Sequence, residues 1–333
     1  MAGRRMFITK MLVAGILAST WAAAGPARAD TYPARVVHFI VPFPGGPSDL
    51  IMRLYAEALS QRWKQAAVVE DRPGATGSIG TQAVVQAAAD GYTLLFTIEL
   101  PITMAPNLLK LRYDPQHDLA PIAAVAEVEN VLVSGSSSGI HSLAELVAAA
   151  KAAPGKLSFA SAGIGSPAHL CGEMIKQQAG IDIIHVPYAA IHVPYAAAAP
   201  AMNAILAGDV TMFCGPIAQA LPFIQDRKAN ALGVTGSNPS SLLPGVAPLS
   251  ASYPGLVISN WFGLLAPAHT PEPVREALET QFKTISESPQ LRSKLLTIGI
   301  TPTWISGADL AKRIAADTAK WHELMTAANI HPN

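Results

Sequence analysis

One segment has the residue types and spacing of a catalytic serine. Gly135–Gly139 reads G-S-S-S-G after a strand-like run, which matches the G-x-S-x-G turn that carries the nucleophile of many hydrolases. In that turn the helix begins directly at the serine. Here Ser142 and Glu145 form a capping box that predicts a helix from about Leu143, so Ser137 falls in a polar loop. The sequence offers no nucleophile with a base in reach, and we predict no catalytic residue and no enzyme.

Two histidines seven residues apart could instead hold a metal ion. His185 and His192 open two consecutive copies of H-V-P-Y-A-A. One helical face would carry both rings only if the helix were unbroken, which Pro187 and Pro194 forbid. Zinc would also lack a cysteine or second carboxylate nearby. We predict neither a metal nor another cofactor, and we interpret the repeat as a duplicated loop.

Glycine-rich turns are the strongest candidates for ligand binding. Gly163–Ala168 reads G-I-G-S-P-A, which also fits a dinucleotide-binding turn, with Asp182 as its acid. A dinucleotide site requires that acid at the far end of the next strand, whereas Asp182 opens the strand, so we exclude NAD. Amides at a helix N-terminus still attract a carboxylate or phosphate.

Two further turns repeat this design. P-F-P-G-G-P-S-D at 42–49 and R-P-G-A-T-G-S-I-G at 72–80 each follow a strand-like run and lead into a helix. In the first turn, Ser48 or Asp49 is expected to cap the helix. One such turn is usually structural, but three of them in one chain favour a small anionic ligand.

These turns require a sheet that positions them. Short β-branched runs alternate with alanine-rich helical runs, which predicts an α/β fold with a mostly parallel sheet and helices on both faces. We interpret the run 121–134 as one strand and the C-terminal region as largely helical. Ligands of such folds bind at the carboxyl ends of the strands, so two α/β lobes with a cleft between them suit the pattern.

The first 29 residues have the composition of an export signal. Arg4, Arg5 and Lys10 precede an apolar run at 11–24, and residues 27–29 form an A-x-A cleavage site. The paired arginines also resemble a twin-arginine signal, so both the Sec and the twin-arginine routes stay open. The apolar run is too short for a membrane anchor.

Charge and cysteine content exclude other classes. The chain has 23 basic and 23 acidic residues, and four of the basic ones lie in the signal. The remaining chain carries a net charge of about −4, which argues against nucleic acid as a partner. Cys171 and Cys214 could pair in an oxidising compartment, but their spacing alone does not decide this.

Six blocks of the sequence resemble, in the same order, those of the Bug family. They include I-V-P-F-P-G-G-P-S-D, V-V-E-D-R-P-G-A-T-G-S-I-G, P-G-K-L-S-F-A-S-A-G-I-G-S-P-A-H-L and W-F-G-L-L-A-P-A-H-T-P. Bug proteins are the periplasmic solute-binding receptors of tripartite tricarboxylate transporters. The likeness covers nearly all of the chain after the signal.

The resemblance implies a type II periplasmic-binding-protein fold, in which two α/β lobes with mostly parallel central sheets close on a small carboxylate. We place the signal at 1–29, the first lobe at 30–133 plus 255–333, and the second at 134–254. The family further implies a periplasmic monomer that delivers a small organic acid or amino acid to membrane transporter subunits. A role in sensing, with a membrane signalling system as partner, is the alternative.

The resemblance also implies the ligand site. In the family, the turn after the first strand and the S-A-G-x-G-S loop hold ligand carboxyls largely through backbone amides and water. The predicted ligand-binding residues are Pro44, Gly45, Gly46, Ser48, Asp49, Thr76, Gly77, Ile98, Glu99, Ser161, Ala162, Gly163, Gly165, Ser166, Tyr188, Tyr195 and Cys214.

Departures from the family bear on the ligand. A basic residue and a glycine usually follow V-P-Y, whereas both copies here have Ala-Ala, so a basic residue at the cleft rim is lost. Glu99 replaces a small or hydroxylic residue and is either a solvated loop acid or a partner for a cationic ligand group. His169 is expected to be a packed helix residue, and Trp261 either a cleft wall or core. We expect His185–Tyr188 at the strand end and 189–195 as a loop.

Overall fold

The computed structural model describes residues 32–161, 163–188, 198–258 and 260–330. Its strands, in chain order, are β1 (Val37–Val41), β2 (Ala67–Asp71), β3 (Thr93–Ile98), β4 (Leu119–Val128), β5 (Asn130–Gly135), β6 (Ser158–Ser161), β7 (Ile184–Pro187), β8 (Met212–Pro216), β9 (Ala229–Val234), β10 (Asn260–Pro267) and β11 (Thr301–Ser306). Its α-helices are α1 (Pro47–Trp63), α2 (Ser78–Val85), α3 (Leu143–Ala152), α4 (Pro167–Ala179), α5 (Ala198–Ala207), α6 (Ile217–Gln225), α7 (Glu272–Ser286), α8 (Pro289–Thr297) and α9 (Gly307–Ala327).

The strands form two sheets, which confirms the predicted α/β class. The first sheet has six strands in the order β11–β4–β10–β3–β1–β2, and the second has five in the order β7–β6–β8–β5–β9. β1 runs parallel to β2 and β3, and β6 runs parallel to β7 and β8. β4, β5 and β10 pair antiparallel with their neighbours. The sheets are therefore mixed rather than mostly parallel. The strand that follows each point where the chain passes from one sheet to the other, β5 or β10, is antiparallel to the strands of the βαβ units.

The run predicted as one strand is two strands in different sheets. β4 belongs to the first sheet and β5 to the second, and the chain changes sheets at Glu129. It returns to the first sheet between Val234 and Asn260. The hydrophobic pattern does not reveal this break, since both strands are buried on both faces and read as one continuous apolar run.

Helix α9 closes the core of the first sheet. Its buried positions include Leu310, Ile314, Trp321 and Leu324, which recur at helical spacing. The hydroxyl of Ser306 caps the helix by accepting a hydrogen bond from the Asp309 amide at 3.2 Å. The fully buried Trp261 packs in the same cluster as Leu310 and Ile314. Trp261 is therefore a core residue.

Two C-terminal elements escaped the sequence analysis. β11 lies within the region expected to be largely helical, at the edge of the first sheet, where Pro302 removes no hydrogen bond from a central strand. α8 is a separate helix capped by Ser288, with Pro289 at its first turn. None of the helices within the described ranges combines the length and the apolarity needed to cross a membrane.

A disulfide joins Cys171 of α4 to Cys214 of β8. The two Cα atoms lie 6.4 Å apart, and the residues are 43 positions apart in the sequence. The spacing of the two cysteines did not decide whether they pair. The structure shows that they do, at buried positions beside the second sheet.

Candidate functional site

The turns that follow β1, β2 and β3 contact one another. Gly77 has a φ of +87°, and a Cβ there would lie 2.8 Å from Cζ of Phe43 and 3.2 Å from Cβ of Pro101. A Cβ on Gly80 would lie 2.8 Å from the carbonyl oxygen of Arg72. Only glycine permits this approach. Two of the predicted glycine-rich turns and the segment after β3 therefore meet at one end of the first sheet.

Asp49 holds the first turn in shape. Its Oδ2 accepts a hydrogen bond from the Gly45 amide at 3.1 Å, and its Oδ1 lies 2.7 Å from Nε of Arg53. The expected cap is therefore wrong in detail, since α1 begins after Gly46 with no side-chain cap, and Asp49 reaches back from the first turn. Ser48 is fully buried, and its hydroxyl has no hydrogen-bond partner among the described residues.

Glu99 is buried at the carboxyl end of β3. Its exposed fraction is 1%, and neither carboxylate oxygen is hydrogen-bonded within the part of the chain that the structure describes. Burial raises the pKa of Glu99 well above its usual range, Asp317 raises it further, and Lys320 and Arg313 oppose the shift. The interpretation as a solvated loop acid is therefore wrong. The Glu99 side chain therefore favours its neutral, protonated form, and a cation bound beside it would stabilise the ionised carboxylate.

The loop between β6 and α4 lies against the segment that follows β3. Gly165 has a φ of +75°, and a Cβ there would lie 2.5 Å from Cδ1 of Leu108. Gly163 has a φ of +117° with open space around its Cβ position. Ser166 caps α4 by accepting a hydrogen bond from the His169 amide at 3.3 Å. The loop of the second sheet and the turns of the first thus share the region around the end of β3.

Most amides of this loop already donate hydrogen bonds inside the protein. The Gly163 amide donates to Oγ of Ser161 at 3.0 Å, the Gly165 amide to Nδ1 of His169 at 3.0 Å, and the Ser166 amide to the Gly163 carbonyl at 3.2 Å. The Ile164 amide has no acceptor among the described residues, and the Ile164 side chain is 69% exposed. Within residues 163–166, the amide of Ile164 is therefore the one available to a ligand.

Two histidines support the loop from behind. His169 is buried, as expected, and its ring stacks on His185 with 4.0 Å between centroids. Nε2 of His185 lies 2.6 Å from Oγ of Ser161. Burial lowers the pKa of His169 to about 3 and that of His185 to about 4. The sequence analysis missed both contacts, although His169 stands three residues after the Ser166 cap, where side chains often reach back.

The first H-V-P-Y copy occupies the strand end. β7 pairs in parallel with β6, with Pro187 opposite Ser161, and the Tyr188 amide donates to the Ser161 carbonyl at 2.8 Å. Tyr188 packs against the second sheet's core. Ala162, Tyr195 and the loop predicted at 189–195 lie outside the described residues.

The other predicted residues differ in what they can offer a ligand. Thr76 has a positive φ of 57°, which places its backbone in the tight turn before α2. Ile98 and Cys214 are buried, and the sulfur of Cys214 is bonded to Cys171. After the Ser137 loop, the predicted Ser142 cap is confirmed, since its hydroxyl accepts from the Glu145 amide at 3.2 Å, whereas the Glu145 carboxylate accepts from the His141 amide rather than from that of Ser142.

Sequence and structural comparisons find a consistent set of relatives. Residues 51–330 match the family described as tripartite tricarboxylate transporter family receptor. Protein BugT of Bordetella pertussis is 34% identical over 321 residues, which cover 95% of this chain and 96% of BugT. An R. palustris protein solved with adipate is 28% identical, with a TM-score of 0.73 over 91% of this chain and 100% of its own. MatC from Rhodopseudomonas palustris, solved with bound malate, is 26% identical, with a TM-score of 0.69 over 88% and 99%.

Proposed function

The chain belongs to the family of tripartite tricarboxylate transporter receptors, and from this premise we propose that it captures a small carboxylate between its two sheets and delivers it to the membrane subunits of such a transporter. The family consists of periplasmic binding proteins without catalysis, and the solved relatives share the type II periplasmic-binding-protein fold. The Bug resemblance of the six blocks is therefore confirmed. The ligand, its site and the transporter partner are our proposal.

The observation that carries the proposal is the meeting of strand-to-helix turns from both sheets. The turns after β1 and β2 contact the segment after β3, and the loop after β6 contacts Leu108 in the same segment. The N-terminus of α4 adds the positive end of a helix dipole beside the Ile164 amide. A carboxylate bound to such an amide gains about 1.5–3 kcal/mol per hydrogen bond. The relatives solved with adipate and malate support the same ligand class.

We further propose the division of the chain that this function requires. Residues 1–29 act as a cleaved signal, exported by the Sec or the twin-arginine route, and the mature receptor works as a monomer in the periplasm. The first lobe comprises 30–133 plus 255–333, and the second comprises 134–254. The assignment of the strands to two sheets supports this division. The chain passes from the first sheet to the second at Glu129, a few residues before the boundary predicted from the sequence.

A screen with a turnover control tests the proposed function. Protein stripped of bound ligand by unfolding and refolding would be heated with adipate, malate and a panel of other organic acids and amino acids, and the samples would then be analysed for product. We expect the melting temperature to rise with at least one small carboxylate, because a ligand bound only by the native state stabilises it. We expect no product. The absence of any shift would refute the proposal, and turnover would indicate an enzyme instead.

Glu99 favours a second candidate ligand, a carboxylate that also carries a cationic group. A buried carboxyl that faced only an anion would cost several kcal/mol if it were ionised, whereas a ligand ammonium beside it would be stabilising. The test compares wild type with Glu99→Gln on amino acids and on plain dicarboxylates. We expect the substitution to weaken the binding of amino acids selectively, and an unchanged preference would reject this candidate.

A further inference from the structure

The proposed anion-binding loop is held by hydrogen bonds to the side chains of Ser161 and His169. Ser161 is fully buried, and its Oγ receives the Gly163 amide and lies 2.6 Å from Nε2 of His185. His169 accepts the Gly165 amide on Nδ1, while its own amide donates to the Ser166 cap. This arrangement resembles a capping box in which a histidine takes the place of the usual glutamate, except that its ring accepts from the amide of Gly165, one residue before the Ser166 cap. Both glycines with positive φ are thus fixed by a hydrogen bond to a side chain.

The two imidazoles form part of one stack. The His169 and His185 rings lie 4.0 Å apart at an interplanar angle of 23°, and Phe159 stacks on His185 with 4.9 Å between centroids. His169 lies on α4, His185 on β7 and Phe159 on β6. The stack therefore ties the strand before the loop, the helix after it and the first H-V-P-Y copy into one unit.

We propose that His169 and His185 are positioning residues that set the conformation of the Gly163–Ser166 loop, and that carboxylate binding requires Nδ1 of His169 to stay unprotonated. The inference rests on the proposed function, since it concerns the loop that would hold the carboxylate. Nδ1 can accept the Gly165 amide only in the neutral tautomer with its proton on Nε2. Because the two rings stack at this distance, a positive charge on one ring also disfavours protonation of the other.

The surroundings of the pair favour the neutral state. Lys176 of α4 lowers the pKa of both rings, in addition to burial. Glu173 is the acid on this face, with Oε1 3.9 Å from Nε2 of His169 and 3.0 Å from Nζ of Lys176. The neighbouring strands β6, β7 and β8 add no further charged side chain. The Glu173 carboxylate is therefore shared with Lys176, which leaves it a weak stabiliser of a His169 cation.

Nuclear magnetic resonance of the full chain tests the tautomer without any ligand. We expect a ¹⁵N–¹⁵N coupling across the hydrogen bond between the Gly165 amide and Nδ1 of His169. We also expect the His169 ring to remain neutral, with its proton on Nε2, from neutral pH down to about pH 5. A protonated Nδ1, or titration of His169 near its ordinary pKa, would overturn the proposal.

Substitutions with adipate as the probe test the link to binding. We expect His169→Leu to weaken adipate binding about tenfold, because the Gly165 amide loses its acceptor. His169→Asn retains an acceptor near the same place and should bind within about threefold of wild type. His185→Gln should likewise outperform His185→Leu, and exposed His141→Leu is the control. Equal affinity of the Leu and wild-type proteins would overturn the positioning role. If wild type itself does not bind adipate, the proposed ligand is in question, and the coupling experiment still decides whether unprotonated Nδ1 of His169 holds the Gly165 amide.

Discussion

At the scale of single residues, the surroundings of Glu99 are unusual for a glutamate. Buried glutamates are normally paired or hydrogen-bonded, whereas both oxygens of Glu99 are without a hydrogen bond among the described residues. Because its pKa is raised, the folded state still holds a proton at pH values between the unfolded and the folded pKa, where the unfolded state has released it. The group therefore makes the free energy of unfolding fall as pH rises from the unfolded pKa towards the folded one.

Replacing Glu99 with glutamine removes this titration. We expect Glu99→Gln to be more stable than wild type, by a margin that grows as pH increases from about 5 to about 8. Urea unfolding at both pH values measures the difference, with exposed Glu276→Gln as the matched control. An equal pH dependence for wild type and Glu99→Gln would mean that Glu99 is not desolvated as described.

The glycines of the β6–α4 loop provide a second prediction at this scale. Valine at Gly165 would place a Cβ 2.5 Å from Leu108, and valine at Gly163 would resist its φ of +117°. We expect both variants to lose carboxylate binding while the fold survives, because each change is confined to a loop. Circular dichroism monitors the fold, and calorimetry measures carboxylate binding. Ser137→Ala is the control and should bind like wild type. Normal binding by Gly163→Val and Gly165→Val would remove this loop from the site.

At the scale of elements, the disulfide connects helix α4 to strand β8 beneath the loop. A bridge between residues 43 positions apart restricts the unfolded chain, and bridges of this kind typically contribute about 2–4 kcal/mol. We expect the pair of substitutions Cys171→Ser and Cys214→Ser to lower the free energy of unfolding by about that amount. Denaturant unfolding of wild type with and without reductant is the comparison. No loss on reduction would show that the bridge does not constrain the unfolded chain.

The duplicated heptad is the second feature at this scale. β7 carries the first copy at the strand end, and α5 follows from Ala198. Removing residues 189–195 restores a single H-V-P-Y-A-A-A-A-P junction and changes loop closure by only about 0.5 kcal/mol. We expect the deletion variant to fold with an altered ligand affinity, because this strand end adjoins the proposed site. Thermal unfolding tests the fold of this variant, and calorimetry measures its ligand binding. A variant that does not fold would mean that the heptad is part of the core. A variant that binds the ligand with unchanged affinity would mean that the heptad has no role in binding.

At the scale of the whole molecule, the sequence predicted the two α/β units and the turns more securely than the contacts within them. Alternating strands, glycine turns and the family blocks were sufficient for the fold class, since each is a local signal. The sheet change at Glu129 was missed, because nothing local separates β4 from β5. Burial of Glu99, the internal use of the Gly165 amide and the stacked histidines depend on residues that are distant in the sequence or on ring orientation. None of these has a periodic signature.

Isothermal titration calorimetry of ligand-free protein tests the central claim most directly. Adipate and malate would be titrated into wild type and into Gly165→Val, each previously shown to be folded. The account predicts saturable one-to-one binding of at least one of these dicarboxylates to wild type and its loss in Gly165→Val, whose side chain would collide with Leu108. Equal binding by the two proteins would contradict the proposed site, and no heat with either acid or with any other small carboxylate would contradict the proposed ligand class.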